Sequence, residues 1–371
     1  AMIHAATMVA AGVFLLGRTY PMLSPEVLSV VTAFGAFTAL FAATIGTTVF
    51  DIKGVLAYST ISQLGFMVAA IGTGGLGLVA GLFHMVTHAF FKACLFLSAG
   101  SVIHGCHHEQ DMRKMGGLRK KMPLTFIAML VCTLAIAGIP LFSGFYSKDR
   151  IIQSAIESTM TQFRGANAFA IVALPLAAAL TAFYMFRLIF MTFFGKPRIQ
   201  DKYDHAHESP PSMAIPLVIL GVLSIIAAGW QTADKGWFAK FTAPYDVPAI
   251  AAEFHLEGAG HALVVHDDHG AAGHEADTGG EEVHGDEHAA TDGHGDEHAA
   301  AAHGGHDDHH DVHHTAHVRA MVMSIAAAFL GILFYWWVYN RHKVDTAALQ
   351  KRFHGAYSVL QGQYFFDELY H

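Results

Sequence analysis

The stretch FHMVTHAFFK, at residues 83–92, decides the fold because it places a lysine in the middle of an apolar segment at 76–103. That segment is long enough to cross a bilayer as a helix, since about 20 residues span the hydrocarbon core. His84, His88 and Lys92 follow one another four residues apart, so they lie on one face of a helix. A lysine at mid-membrane costs about 2.5–3.5 kcal/mol on insertion scales. We interpret this row of titratable side chains as part of a proton path.

The two histidines alone also suit satisfied core residues, whereas Lys92 has no such interpretation because apolar residues flank it on both sides. Histidine titrates near neutral pH, so a chain of histidine, lysine and water is able to pass protons. The sequence contains no redox motif, nucleotide-binding loop or haem-ligand pattern. Energy for transport must therefore come from a partner or from another ion gradient.

The composition of the whole chain is that of a membrane protein. Of its 371 residues, 53% are hydrophobic and 14% are charged, and the mean hydropathy is +0.38. The apolar residues come in blocks of about 20, which must be helical because backbone groups in lipid have to bond within their own segment. The sequence therefore predicts an all-α polytopic membrane protein, a helix bundle with about eight transmembrane spans. The predicted spans are 2–17, 27–49, 55–71, 76–103, 123–146, 166–194, 213–230 and 318–339.

Basic residues in the loops predict the orientation of these spans. If every block spans once, the clusters that follow the fourth, sixth and eighth blocks fall on one side of the membrane. The positive-inside rule assigns that side to the cytoplasm or the mitochondrial matrix. The opposite side then receives the long loop 232–316. The basic residues are Arg113, Lys114, Arg119, Lys120 and Lys121, then Lys196, Arg198 and Lys202, then Arg341, Lys343, Lys351 and Arg352.

The segment 251–317 is of low complexity and holds 16 of the 27 histidines. It repeats HGDEHAA at 284–290 and 294–300, and it has almost no large apolar residues after Val265, so it cannot build a core. Imidazole and carboxylate groups ligate zinc, nickel or copper, which makes metal binding one interpretation. The composition favours the other, a disordered and solvated polar insertion.

Four other places put polar groups at or near membrane depth, and several have a structural interpretation beside the functional one. Asp51 and Lys53 also suit a surface turn. Lys148 and Asp149 also suit a helix end that reaches the interface. Arg187 interrupts the sixth span near its basic end, so we expect it to snorkel to the headgroups. The fourth place is His4, early in the first span.

Pro140 predicts a break in the fifth span. A proline inside a helix removes one backbone hydrogen bond and clashes with the preceding turn. Gly138 and Gly144 flank it and weaken the helix further. Broken helices at membrane depth line protein or watery cavities and mark ion sites in transporters. A break here allows Lys148 and Asp149 to lie deeper than hydropathy alone suggests.

Several runs resemble the antiporter-like membrane subunits of respiratory complex I, the proton-translocating NADH–quinone oxidoreductase. One run, EQDMRKMGGL at 109–118, narrows the resemblance to the family of bacterial chain L and mitochondrial chain 5. The resemblance covers nearly everything except the histidine-rich segment. The other runs are HAATMV at 4–9, DIKGVLAYSTISQLG at 51–65, THAFFKA at 87–93, GFYSKD at 144–149 and YFFDELY at 364–370.

The resemblance implies roles for individual residues. Lys92 is expected to be the central lysine of a proton channel. Lys148, with Asp149, is expected to discharge protons towards the positive side of the membrane. The remaining pathway residues are expected to form a hydrated polar axis between input and output: His4, Asp51, Lys53, His84 and His88. Gly54 follows Lys53 where the family leads us to expect a basic residue.

The resemblance also implies how the chain is divided into regions and that the sequence is a fragment of a longer subunit. We expect an antiporter-like bundle over 1–231, a non-cytoplasmic loop over 232–316, a last helix over 317–340 and a cytoplasmic segment over 341–371. An upstream glutamate–lysine input pair and a downstream lateral helix belong to the family, and we expect both to be missing from this sequence.

The implied function is proton translocation coupled to electron transfer from NADH to quinone in other subunits. No cofactor is expected on this chain, while FMN, iron–sulfur clusters and the quinone site are expected on partner subunits. The expected partners are neighbouring antiporter-like subunits of the membrane arm and the lipid bilayer, without nucleic acid, in a bacterial inner membrane. The alternative is a cation/proton antiporter subunit of the multi-subunit sodium–proton type.

Overall fold

The structure is a computed structural model that describes residues 8–161, 165–227, 304–339, 354–362 and 364. These residues form α-helices joined by short loops and three 3₁₀ turns, and no strand occurs among them. The predicted all-α class is confirmed. The helices are α1 Ala10–Thr19, α2 Pro25–Gly46, α3 Ile52–Thr73, α4 Leu76–Gly105, α5 Pro123–Ala137, α6 Ser143–Thr161, α7 Gly165–Phe193, α8 Gln200–His205, α9 Pro211–Ile226, α10 Gly304–Tyr339 and α11 His354–Gln361.

Five helices in the described ranges are long and apolar enough to cross a membrane, namely α2, α3, α4, α7 and the part of α10 at His314–Val338. Two further apolar helices, α5 and α9, are shorter, with 15 and 16 residues. The first predicted span is represented by α1 alone, and residues 2–7 lie outside the described ranges. The helical membrane fold is thus confirmed, and the number of eight spans stays a prediction.

Small residues bring neighbouring helices into close contact. A methyl group added at Gly35 of α2 would lie 2.3 Å from the backbone nitrogen of Ala69 on α3, and one added at Gly65 of α3 would lie 2.5 Å from that of Ala39 on α2. Small residues at such crossings let helix backbones approach each other, which is how helices associate in lipid. The α2–α3 pair therefore packs backbone against backbone, and α3 also lies against α4.

The fifth predicted span is two helices. The first, α5, ends at Ala137, Gly138 takes a left-handed conformation with φ of 77°, and α6 begins at Ser143. A methyl group at Gly144 would lie 2.0 Å from the carbonyl oxygen of Ala135, so the start of α6 passes directly against the end of α5. The break that Pro140 predicted is confirmed.

The loops that follow α4 and α7 meet at one end of the bundle. Lys202 forms an ion pair with Glu109. The guanidinium of Arg198 donates to the carbonyl oxygens of Met112 and Met115 at 3.0 and 2.7 Å. Two of the three predicted basic clusters therefore share one end, as the loop charges predicted. The third cluster, at 341–352, lies outside the described residues.

Candidate functional site

The row of titratable groups on α4 faces the interior of the bundle. His84 and Lys92 have no exposed surface and His88 is 3% exposed. The ring centroids of the two histidines are 6.1 Å apart, about the rise of one helical turn. Their predicted alignment on one face is confirmed. Their role in proton transfer stays a prediction.

Both ring nitrogens of His84 contact polar side chains of other helices. Nδ1 lies 2.8 Å from the hydroxyl oxygen of Ser147 on α6, and Nε2 lies 3.2 Å from Oε1 of Gln63 on α3. The hydroxyl of Thr87 donates to Ser147 Oγ at 3.2 Å and to the carbonyl oxygen of His84 at 3.1 Å. His84 thus joins α3 and α6 across the interior.

Lys92 differs from His84 in its surroundings. Its Nζ has no hydrogen-bond partner among the described residues, and it lies 5.8 Å from the centre of the Phe96 ring. Nε2 of His88 likewise has no hydrogen-bond partner in the described part of the chain. Buried polar groups of this kind normally have a protein or water partner. Among the described residues, no protein group fills the hydrogen-bonding capacity of this amine and of this imidazole nitrogen.

The second buried lysine takes its position from the broken helix. Lys148 is 2% exposed, and its Nζ donates to the carbonyl oxygen of Ile136 at 2.6 Å and lies 5.2 Å from the centre of the Phe66 ring. In a continuous helix the backbone N–H four residues later would occupy that carbonyl, but the residue there is Pro140, which has no N–H. The break therefore supplies the acceptor for the lysine.

Asp149 follows Lys148 in the chain but faces another helix. It is 5% exposed, and Oδ1 accepts a hydrogen bond from Ser324 of α10 at 3.3 Å. Consecutive residues on a helix point about 100° apart, so the two side chains have different neighbours. Burial of both contradicts the interpretation of this pair as a helix end that reaches the interface.

Asp51 and Lys53 lie apart from this cluster. Oδ2 of Asp51 accepts from the backbone N–H of Gly54 at 2.6 Å and caps the start of α3, while Lys53 is exposed. Gln63, which reaches His84, is about 18 Å further along the helix axis at 1.5 Å per residue. The contacts of Asp51 are those of a helix-capping turn, and its role in the pathway stays a prediction. His4 lies outside the described residues.

The position of Arg187 contradicts the expectation that this side chain snorkels to the headgroups. It is 1% exposed and therefore does not snorkel to the headgroups. Its guanidinium donates to the carbonyl oxygens of Gly46, Thr47 and Val49, at the carboxyl end of α2, and lies 5.1 Å from the centre of the Phe50 ring. The last carbonyls of a helix have no partner within it and carry partial negative charge. Arg187 is therefore a structural cation that closes α2.

Sequence reasoning missed several hydroxyl and amide groups near the titratable row. Gln63 and Ser147 contact His84 directly, and the signal that could have found them was the polar run STISQ at 59–63 inside an apolar helix. Other buried side-chain atoms in the described ranges have no hydrogen-bond partner. They include Ser59 Oγ, Gln63 Nε2, Ser98 Oγ, Thr133 Oγ1 and Ser143 Oγ.

The described residues contain no group of three or more His, Cys, Asp or Glu side chains placed to hold a metal ion. The histidine-rich segment lies outside them up to residue 303, whereas residues 304–317 belong to helix α10, so the helix begins before the end of the expected loop. For residues 251–303 the metal-binding interpretation and the interpretation as a solvated insertion stay open. The side chains of the buried cluster are amines, imidazoles, hydroxyls, the amide of Gln63 and one carboxylate.

Membrane-length helices that enclose a line of buried amines and imidazoles define a polytopic protein with a polar interior path. The family model described as NADH:quinone oxidoreductase/Mrp antiporter, TM matches residues 1–173. Residues 1–173 therefore match this family of antiporter-like membrane subunits, and the curated relatives of the chain are complex I subunits named chain L or chain 5.

Curated relatives agree with this family. NADH-quinone oxidoreductase subunit L of Rhodobacter capsulatus is 49% identical over 275 residues, which is 70% of this chain and 36% of that protein. NADH-ubiquinone oxidoreductase chain 5 of Dictyostelium citrinum is 53% identical over 63% of this chain and 34% of that one. F(420)H(2) dehydrogenase subunit L of Methanosarcina mazei is 52% identical over 61% of this chain and 34% of that protein. The chain spans about a third of the length of these relatives.

A solved structure is similar as well. A chain of the Mrp complex from Dietzia sp. superposes with a TM-score of 0.57 at 26% identity, over 96% of this chain and 33% of that one. The similarity extends the shared architecture to the antiporter branch of the family.

Proposed function

We propose that this chain is the proton-conducting part of a membrane-arm subunit of respiratory complex I. Other subunits carry electrons from NADH to a quinone, and this chain moves protons across the membrane in response. The observation that carries the proposal is Lys92, an amine fully buried at mid-helix with no hydrogen-bond partner in the described structure. A side chain kept only for stability would have fixed partners, because an unpaired buried charge is strongly destabilising.

The proposed path follows α4. The rings of His84 and His88 are 6.1 Å apart, and Lys92 follows one helical turn later. Water molecules and hydroxyl groups are able to bridge such a distance. The unpaired oxygens of Ser98, Thr133 and similar side chains supply positions where such water would bind. Lys148 is the proposed exit group, because the α5–α6 break supplies the carbonyl oxygen of Ile136 that holds its amine. Two positive charges in the interior repel each other, so the arrival of a proton at one lysine drives release from the other.

Electron transfer must supply the energy for this movement. Moving one elementary charge against 100 mV requires about 2.3 kcal/mol. FMN, iron–sulfur clusters and the quinone site belong in this proposal to partner subunits. The relative from Methanosarcina mazei carries the name of an F(420)H(2) dehydrogenase at 52% identity, so the electron donor is chosen outside this subunit.

The proposed setting is a bacterial inner membrane, with neighbouring antiporter-like subunits as partners. The basic end of the bundle, where the loops after α4 and α7 meet, faces the cytoplasm under the positive-inside rule. The loop 232–316 then lies on the periplasmic side. The division at 231, 316 and 340 into bundle, loop, last helix and cytoplasmic segment is part of the same proposal.

A second candidate is a subunit of a sodium–proton antiporter. It is favoured by the similarity to the chain of the Mrp complex from Dietzia sp.. Identity of about half with complex I subunits over most of this chain favours the first candidate.

The test uses the full-length protein in its native complex, in inverted membrane vesicles. Proton uptake driven by NADH is measured with and without sodium, for wild type and for Lys92→Met. Proton uptake that is independent of sodium and lost in Lys92→Met, with normal assembly, supports the first candidate. Uptake that requires a sodium gradient and ignores NADH supports the second. Normal NADH-driven pumping by an assembled Lys92→Met complex contradicts the pathway.

A further inference from the structure

His84 is the one titratable group in the described cluster whose two ring nitrogens both have a polar side-chain partner. Nδ1 faces Ser147 at 2.8 Å and Nε2 faces the amide of Gln63 at 3.2 Å. A neutral imidazole carries hydrogen on one nitrogen and a lone pair on the other. The partners therefore decide which nitrogen keeps the hydrogen.

On the α6 side, Ser147 is able to serve either tautomer. Its hydroxyl has a single hydrogen, and the carbonyl oxygens of Ser143 and Gly144 lie 3.3 Å away as alternative acceptors. The hydroxyl donates to Nδ1 when that nitrogen has a lone pair. It turns to a backbone carbonyl and accepts from Nδ1 when that nitrogen carries hydrogen. Ser147 follows the state of His84 and does not select it.

On the α3 side, the amide of Gln63 distinguishes the two tautomers. Its oxygen faces Nε2, and an oxygen accepts only, so this arrangement requires hydrogen on Nε2. The amide nitrogen of Gln63 has no hydrogen-bond partner in the described residues. A half-turn of the amide would thus break no other hydrogen bond, and it would present an N–H donor to a lone pair on Nε2.

We propose that Gln63 is a positioning residue that sets the side from which His84 accepts a proton. With the amide oxygen towards the ring, neutral His84 keeps its hydrogen on Nε2 and accepts the next proton at Nδ1, from the Ser147 side. With the amide turned over, His84 keeps its hydrogen on Nδ1 and accepts at Nε2, from the α3 side. In either case a proton is gained by one nitrogen and the other keeps its own, so the ring becomes an imidazolium.

The groups around His84 are consistent with Gln63 as a selector, meaning the residue that sets the side from which His84 accepts a proton. The titratable groups nearest to His84 are His88 on its own helix and Lys148 on α6, whereas α3 presents the uncharged Gln63. An uncharged selector changes the direction of proton acceptance without adding a charge to the interior. This inference rests on the proposed function, because it assigns a direction to a step of the same path.

The first measurement reads the tautomer directly. Solid-state ¹⁵N spectra of histidine-labelled full-length protein in its complex distinguish nitrogens that carry hydrogen from those with a lone pair, and His84→Asn identifies the signals. In wild type we expect neutral His84 to carry hydrogen on Nε2. In Gln63→Met, which keeps the length of the side chain and removes the amide, we expect the hydrogen to move to Nδ1. A tautomer that is the same in both proteins overturns the proposal.

The second measurement reads proton pumping per electron across a range of pH. We expect Gln63→Met to pump about tenfold less than wild type, equivalent to about 1.4 kcal/mol, and to show a shifted pH profile. Gln63→Asn, which keeps a shorter amide, should lie between them and guards against misfolding of the first variant. Ser62→Ala is the control, since Ser62 donates to the carbonyl oxygen of Ala39 and does not contact His84. Wild-type pumping and pH profile in Gln63→Met overturn the inference.

The two proposals fail separately. If Lys92→Met pumps normally, the proposed path is wrong, whatever the tautomer of His84. If Lys92→Met stops pumping while Gln63→Met leaves both the tautomer and the pH profile unchanged, the path stands and the selector is wrong.

Discussion

Arg187 and Lys92 are both cationic, both buried and both located in membrane-length helices, yet their surroundings are opposite. The guanidinium of Arg187 donates to three carbonyl oxygens at the end of α2, whereas Nζ of Lys92 has no hydrogen-bond partner in the described structure. Arginine keeps its proton in proteins, and lysine is able to give its proton up. A charge at membrane depth is therefore not by itself a sign of transport. For these two residues, the fixed partners of Arg187 indicate a structural cation and the missing partners of Lys92 indicate a candidate relay.

The largest effect is expected from Arg187→Met. The change leaves the carbonyl oxygens at the end of α2 without a donor, and hydrogen bonds to a charged group contribute about 1.5–3 kcal/mol each. We expect little assembled subunit in the membrane, measured by quantitative blotting of the purified complex. Arg187→Lys keeps the charge but not the forked geometry and should give an intermediate amount. Full assembly of Arg187→Met would contradict the assignment of Arg187 as a structural cation.

A large loss of activity, without loss of assembly, is expected from Lys148→Met. Its amine donates a hydrogen bond to the carbonyl oxygen of Ile136 and lies over the ring of Phe66. We expect proton pumping to fall about tenfold, equivalent to about 1.4 kcal/mol, while quinone reduction by the uncoupled complex continues. The matched variant is Asp149→Asn, which keeps the acceptor for Ser324 and should have a smaller effect. Equal effects of the two substitutions would contradict the separation of their roles.

A moderate effect is expected from Pro140→Ala. The new backbone N–H would compete with Lys148 for the carbonyl oxygen of Ile136. We expect pumping to fall by roughly two- to fivefold, less than 1 kcal/mol, with normal assembly. Pro216→Ala in α9 is the control, because that proline lies inside a regular helix away from the break. If both prolines behave alike, the break does not position Lys148.

The smallest effect is expected at the paired charges of the basic end. The ammonium of Lys202, with Lys114 at 3.4 Å, lowers the pKa of Glu109 to about 2. A lowered pKa means that the pair stabilises the fold above the ordinary value near 4.5 and loses this contribution as the pH falls towards 2. Glu109→Gln should therefore lower stability at pH 7 by at most about 1 kcal/mol and have no effect near pH 2. Thermal unfolding in detergent at both pH values measures this. A larger loss of stability at low pH than at pH 7 would contradict the lowered pKa of Glu109.

The sequence predicted the row on α4 and the broken helix because both depend on local spacing. Residues four apart share a helix face wherever the helix lies, and Pro140 interrupts any helix. The partner of Arg187 was not predictable in this way. Snorkelling and burial are equally compatible with its position near the basic end, and only the three-dimensional position of the α2 carboxyl end decides between them. Gln63 and Ser147 were missed for the same reason, because both are distant from His84 in the sequence. Gln63 is 21 positions before His84, and Ser147 is 63 positions after it.

The most direct test of the account is the protonation of Lys92 during turnover. Solid-state ¹⁵N spectra of the lysine-labelled complex, with the Lys92 signal assigned by its loss in Lys92→Met, distinguish the ammonium from the neutral amine. We expect Lys92 to change between the two forms when NADH is supplied, while the guanidinium signal of Arg187 stays constant. A Lys92 signal that remains in one form at rest and during turnover would contradict it.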